Sequence, residues 1–488
     1  MGRIITEFLN QIDSVMYYPI LLVILAAGGL FFTIRTKGVQ IRLLPEACKL
    51  IMEEPDDDGH QVEGKKKVSS FQALMVSTAS RVGTGNIVGV STAICLGGAG
   101  SVFWMWIMCI IGAASAFAES TLAQIYKQKD KDGTCYGGPA YYIEKALHAP
   151  WASVLFSFFL IATYGFGFNV LCSFNLQSSF SGYSFYGAKA EVFGTELPLV
   201  PIVTGLIIAI LVGYCLFGGG KRIVRLTSVI VPVMGVFYVA ITLIVIVAHI
   251  SSVPAMFAEI FRDAFDFKAI FGGIAGSCMI YGFKRGLYSN EAGVGSAPNA
   301  SASAHVSHPA KQGLVQTVSV YIDTMLLCTA TAFMCLSSGV VRNEAVSGAP
   351  FVQNATETVF GTAGPIIITV AMVLFAFTTL LGNLFYVDNA LAYLNGKKMP
   401  TKTFMNCFHL ICVVVIFLGA IMPMDACWAL ADITMGGMAL INVPSCVLLS
   451  GTAVAALKDY EKQRKAGKNP RFRGKDIGID EAELSYWK

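Results

Sequence analysis

Long apolar runs alternate with short polar connections along almost the whole of this chain. Runs long enough to cross hydrocarbon, roughly 17 to 25 residues each, fall near 15–34, 71–96, 101–126, 152–180, 198–217 and 224–250, and again near 266–283, 313–340, 363–394, 404–422 and 428–456. The pattern predicts an all-α integral membrane protein of eleven spans. One run is interrupted by Ser80-Arg81-Val82-Gly83-Thr84-Gly85-Asn86, a helix-breaking string inside Phe71 to Leu96. Bare backbone polar groups are not tolerated in lipid, so such a break must be buried in protein or line a cavity. Carriers build substrate and ion sites from broken spans of this kind, because half-helix N-termini face anions while freed carbonyls hold cations.

With the first span set aside, ten remain, and five per half means that the halves enter the membrane in opposite senses. That parity is what a five-plus-five inverted repeat requires. The expected division is an extra N-terminal span and loop over 1–70, a first repeat over 71–250, a second over 264–457 and a basic tail over 458–488. The first span of the second half carries Gly272, Gly273 and Gly276, which predicts a break matching that of the first half. Of the 35 Lys and Arg, 29 fall in alternate loops and the tail, counting Lys284, Arg285 and Lys311 as one such loop. Positive residues stay inside, so the N-terminus is expected outside and the tail in the cytoplasm of a plasma-membrane protein.

Composition narrows the function. Hydrophobic residues make up 55% and charged residues 14% of the 488 positions, with a mean hydropathy of +0.63, which excludes an ordinary soluble enzyme. A net charge of +4 gives no reason to invoke nucleic acid. The thirteen cysteines are mostly single residues within apolar runs and read as small packing groups. No nucleophile–base constellation and no repeated filter segment is present, so neither a catalytic residue nor a channel is expected. His305 and His308 have metal-like spacing but no further ligand nearby.

A zwitterionic ligand needs donors for its carboxylate, and the amides of Thr84, Gly85 and Asn86 at the broken helix supply them. Buried ionisable residues in spans are functional candidates by default. Arg81, Glu119, Glu291 and Asp323 are therefore read as gate or charge-pair residues, with Arg81 paired to Glu291 or Asp323, and with a static ion pair as the alternative.

The strings Gly97-Gly98-Ala99-Gly100-Ser101-Val102-Phe103-Trp104-Met105-Trp106 and Gly286-Leu287-Tyr288-Ser289-Asn290-Glu291-Ala292-Gly293-Val294-Gly295-Ser296-Ala297-Pro298 resemble the two hallmark stretches of the alanine or glycine:cation symporter family. The resemblance covers Phe71 to Leu457. It implies a five-plus-five fold like that of bacterial amino-acid:sodium symporters, with uptake of a small neutral amino acid together with sodium, no other cofactor and no obligate protein partner. Similarity to the wider fold implies that carbonyls around Gly276, Ser277 and Met279 take the ammonium group. It also implies a sodium site built from the carbonyls of Ala79 and Val82 and the hydroxyls of Thr378 and Thr379; two threonines bonded back to their own helix are the alternative.

Two departures from the family pattern bear on the side-chain pocket. Phe168-Asn169-Val170-Leu171-Cys172 puts Cys172 where a pocket glutamine is expected, and Asn383 stands where relatives often carry a bulky indole. A larger pocket follows, and with it the alternative of a polar substrate such as glutamine or serine. Coupling to protons in place of sodium is the other alternative.

Overall fold

The computed structural model describes residues 2–56, 67–129, 133–192, 195–266, 278–480 and 483–487. Helices α1 (Gly2–Val15) and α2 (Leu22–Arg35) are joined by a π-helical turn, Met16–Leu21. The first broken span is α3 (Ser70–Arg81) and α4 (Val88–Gly97); then come α5 (Ser101–Ile125), α6 (Pro150–Ile161), α7 (Phe168–Ser178), α8 (Leu199–Leu216) and α9 (Gly220–Ala248). The later part holds α10 (Cys278–Asn290), α11 (Pro309–Val320), α12 (Thr329–Ser337), α13 (Ala363–Leu394), α14 (Lys402–Gly419), α15 (Met424–Leu448) and α16 (Ser450–Lys465). The pairs α6–α7 and α11–α12 each run on through a π-helical turn, Ala162–Gly167 and Tyr321–Cys328. Two short antiparallel hairpins, Gln128–Lys129 with Cys135–Tyr136 and Lys189–Val192 with Thr195–Pro198, are the strands among the described residues.

Eight of these helical segments are long and apolar enough to cross a membrane. The predicted runs at 15–34, 71–96 and 266–283 fall outside that number for physical reasons: the first is assembled from α1, a π turn and α2, the second is broken, and much of the third lies outside the described residues. The last run differs too. Expected over 428–456, it is two helices that part at Leu449 (φ −88°, ψ 7°). The expected 457/458 boundary therefore falls inside α16.

Position in the bundle follows composition. The segment Gly112-Ala113-Ala114-Ser115-Ala116-Phe117-Ala118-Glu119 of α5 is buried throughout, and its small side chains let α10 and α11 pack closely against it. Helices with large apolar side chains on one face, such as α8 and α9, turn those faces outward: Leu206, Ile210, Val229 and Val236 are exposed. Helix α3 begins at a reciprocal cap, in which Ser69 Oγ accepts from the Gln72 amide and Gln72 Oε1 accepts from the Ser69 amide, both at 3.1 Å.

The tail is more ordered than a solvated basic segment. Beyond α16, the Phe472 amide donates to Ser307 O (2.9 Å), the Trp487 indole donates to Gln124 O (2.8 Å), and Lys127 Nζ sits 3.8 Å from the Tyr486 ring centroid. Leu484 and Tyr486 are buried in this seam. At its edge His308 caps α11, its Nδ1 accepting from the Ala310 amide (3.1 Å) while Nε2 faces Asp459 Oδ2 at 3.2 Å. An accepting Nδ1 requires a proton on Nε2 alone, so the neutral ring satisfies both contacts.

Burial accordingly holds the His308 imidazole below its ordinary value of 6.5, and the hydrogen bond from His308 holds Asp459 below the usual carboxylate value. Folding favours the neutral histidine, so its contribution is complete above about pH 6.5 and is lost as pH falls through that value. The Asp459 contribution is lost only in stronger acid. Amide exchange across 466–480, corrected for intrinsic rate, is therefore expected to quicken several-fold between pH 7.5 and 5.5. A His308→Asn variant, which keeps a non-titrating cap, should flatten that dependence; an equal acceleration in both would exclude His308 as its origin.

Candidate functional site

Helix α3 ends where the Val82 amide donates to Thr78 O at 2.7 Å. Val82 then turns to ψ 87°, Gly83 is extended, and Thr84–Asn86 makes a single tight turn before α4. The Asn86 side chain replaces the missing helix bonds: Oδ1 accepts from the Gly83 amide (2.8 Å), and Nδ2 donates to Asp323 Oδ1 (2.7 Å). The Asn86 amide itself bonds Gly83 O at 3.1 Å and so belongs to the turn. Of the three amides expected to cradle a carboxylate, those of Thr84 and Gly85 stand at the N-terminal end of α4.

A second break faces the first, but not where the glycine count predicted. Gly276 and Ser277 lie outside the described residues. Met279 is in the first turn of α10, more than two turns of helix from the residues that reach the first break. The interruption described by the structure follows Asn290: Glu291 (φ 52°), Gly293 (φ 85°) and Gly295 (φ 93°) take left-handed conformations before a short helix, Pro298–Ser301, restarts. Positive φ is tolerated by glycine and costs a glutamate. Glu291 is held there by the bonds its carboxylate makes: Ser296 Oγ donates to Oε2 (2.6 Å), and Ser80 Oγ lies 3.2 Å from Oε1.

Ser80 joins the breaks to the rest of the bundle. Its hydroxyl donates to Asn383 Oδ1 (2.7 Å), and Asn383 Nδ2 donates to Asn169 Oδ1 (2.9 Å), so one polar chain runs from α3 through α13 to α7. Asn383, expected over a substrate side chain, is fully buried and committed to this chain. Asp323, in the π-helical turn between α11 and α12, accepts from Asn86, from Ser289 Oγ (2.7 Å) and from Thr324 Oγ1 (2.9 Å). Glu119 braces the second break, accepting from the Gly293 amide (3.4 Å) and from Asn442 Nδ2 (2.9 Å).

Arg81 does not make the expected ion pair. Its Nη1 donates to Gln316 Oε1 at 3.3 Å, and among the described ion pairs none joins it to Glu291 or Asp323. Placed in the last turn of α3, it points to α11, while Ser80 and Asn86 take the two carboxylates. Nε and Nη2 find no hydrogen-bond partner among the described residues. Its positive charge still acts on Glu119, Glu291 and Asp323 through the low-dielectric interior.

The two threonines of α13 divide. Thr378 Oγ1 donates back to Leu374 O (3.0 Å) and Phe375 O (3.2 Å) of its own helix, as the alternative reading had it. Thr379 Oγ1 reaches Val82 O at 3.5 Å, across the break, and a Cβ on Gly83 would strike that hydroxyl. Ala79 is buried one turn before Val82.

Aromatic rings close over Gly85. The Tyr288 ring stacks on Phe168 (centroids 4.8 Å, interplanar angle 29°) and meets Trp428 at 5.0 Å. A Cβ on Gly85 would lie 2.6 Å from Tyr288 Cε1. Beside it, Thr84 Oγ1 accepts from Asn175 Nδ2 (3.0 Å), and Cys172 Sγ lies 3.5 Å from Ala376 O. Sequence reasoning missed Ser80, Tyr288, Ser289, Ser296 and Trp428. Four of these lie inside strings already singled out, and their roles needed the position of the second break to become visible.

Two facing breaks in a bundle of membrane-length helices, with carboxylates, hydroxyls and aromatic rings gathered between them, define a carrier built around a site within the bundle. A match to the sodium:alanine symporter family spans residues 2–474. The amino-acid carrier protein AlsT of Bacillus subtilis is 40% identical over 97% of this chain and 97% of its own length. The probable sodium/glutamine symporter GlnT of the same organism is 38% identical over 100% and 97%. The sodium/alanine symporter AgcS of Methanococcus maripaludis is 35% identical over 94% and 98%. The crystal structure of MhsT in complex with L-phenylalanine matches with a TM-score of 0.53 at 15% identity, covering 86% of this chain and 96% of that one, a likeness of fold. The chain belongs to the sodium:alanine symporter family, and it is a multi-pass transporter, not an enzyme.

Proposed function

We propose that this symporter takes up a small neutral amino acid of the alanine or glycine class with sodium, by alternating access around the facing breaks. The observation that carries the reading is the meeting of the two breaks at Ser80, Glu291 and Gly85–Tyr288. The α-carboxylate lies against the amides of Thr84 and Gly85 at the N-terminal end of α4, where the helix dipole favours an anion. Phe168, Cys172 and Tyr288 bound the side-chain space, and Thr379 with the carbonyls of Val82 and Ala79 holds sodium. Glu291 and Asp323, beside the breaks, are the acidic groups nearest the ammonium.

Eight long apolar helices, together with the α1–α2 span and the two broken spans, make the eleven of this reading. The breaks open both five-span units, which supports the inverted repeat. The basic tail and loops support a cytoplasmic tail and an outward N-terminus. Lys284 and Arg285 leave that tally, since α10 sets them beside Asp13 and Asp432 at the other end of the bundle.

Purified carrier in proteoliposomes should accumulate labelled alanine when an inward sodium gradient is imposed and should fail to do so with potassium or a proton gradient alone. Uptake driven by protons without sodium would overturn the sodium assignment. A second reading, glutamine as the preferred substrate, is favoured by the relative named as a sodium/glutamine symporter. Competition by unlabelled glutamine stronger than by alanine would establish it.

A further inference from the structure

Lys284 is the hub of a charge cluster that the two breaks do not use. Its Nζ lies 2.7 Å from Asp432 Oδ2 on α15 and 2.9 Å from Asp13 Oδ2 on α1. The three side chains are mostly buried, Asp432 almost completely. One residue on, the Arg285 guanidinium lies 3.6 Å from the centroid of Trp428, one helical turn before Asp432 on the same helix. Two lysine-or-arginine charges on α10 thus face two carboxylates borne by α1 and α15.

The rungs between α10 and α15 are in register. Lys284 pairs with Asp432, and one turn further along α10 Tyr288 meets Trp428 and closes over Gly85. Arg285 fills the interval, its Cδ 3.8 Å from where a Cβ on Gly89 would stand. Helix α1 packs along α15, and the Met16 side chain rests on Gly436, one turn beyond Asp432. Asp13 and Asp432 therefore belong to one packed unit and Lys284 to another.

We infer that the N-terminal helix works in transport, Asp13 acting with Asp432 as a positioning residue that clamps Lys284 and shuts the path to the site at the end opposite the tail. The inference rests on the symport reading above. Removing a partly buried partner from such a cluster weakens closure and leaves the remaining charges less well compensated. Asp13 touches neither substrate nor ion; it acts through the position of α10.

The test is labelling of a Gly89→Cys carrier in intact cells by a membrane-impermeant maleimide, in sodium without amino acid, read by mass spectrometry of the peptide carrying position 89. Asp13→Asn is expected to raise labelling about three- to ten-fold, Asp13→Glu to return it to the parent rate, and Asp432→Asn to raise it at least as far. In a Lys284→Gln background Asp13→Asn should add nothing. In the carrier with native Gly89, Asp13→Asn should raise KM while leaving kcat undiminished. Unchanged labelling in Asp13→Asn would overturn the clamp, as would Asp13→Glu behaving like Asn, which would reduce Asp13 to a packing residue. Loss of sodium-dependent uptake by the unmutated carrier would instead overturn the symport reading.

Discussion

Gly85→Val will abolish sodium-driven uptake while leaving a folded, monodisperse carrier. The reason is steric and local: the first added carbon would lie 2.6 Å from Tyr288 Cε1, and the ring cannot swing clear because Phe168 stacks on one side and Trp428 abuts another. Overpacking of a filled interior costs about 1–3 kcal/mol, and a branched side chain adds its own restriction at χ1. Spent at the binding site, that cost lowers ligand affinity by up to about 100-fold. Gly85→Ala should fall between wild type and Val. Flux in proteoliposomes, with gel-filtration profiles as the check on folding, decides the matter; a Val variant that transports normally would show that the ligand does not lie between Gly85 and Tyr288.

The second large effect is expected on sodium, and the structure sharpens it by separating two neighbouring residues. Thr379→Val removes the hydroxyl that reaches Val82 O, whereas Thr378→Val removes one that already bonds within its own helix. Losing an oxygen that contacts a cation costs about 1.5–3 kcal/mol, which corresponds to a rise of roughly 10- to 100-fold in the sodium concentration for half-maximal uptake. Thr378→Val should change it less than about two-fold, since only a helix-internal bond is lost. Gly83→Ala should behave like Thr379→Val, because its methyl group displaces the same hydroxyl. Sodium activation curves at saturating amino acid measure all three, and the opposite ranking of the two threonines would remove Thr379 from the site.

How far the sequence carried can be judged residue by residue. The first break was legible because glycines and Asn86 interrupt an otherwise apolar run, and a backbone break inside hydrocarbon admits few explanations. The second was misplaced. Lys284-Arg285 made the run appear to end at Phe283, and the glycines at 272, 273 and 276 offered a ready interruption inside it. The helix instead continues to Asn290, because Asp13 and Asp432, remote in sequence, neutralise the lysine within the bundle. Such compensation is tertiary and leaves no periodic trace. The same limit explains Arg81: four buried ionisable groups were correctly singled out, but which of them meet depends on the direction in which the last turn of α3 points.

The tail was the other illegible part. Its aromatic residues are too sparse to form a hydrophobic period, and their burial depends on a surface made by α5 and by residues 300–308. That arrangement orders events during synthesis. The Trp487 indole bonds a carbonyl 363 residues earlier in the chain, so α5 leaves the ribosome, enters the bilayer and waits with Gln124 and Lys127 uncovered until translation has passed every later span. Closing so long a loop adds little entropy beyond that of a shorter one; the delay, not the length, is what the young chain must survive.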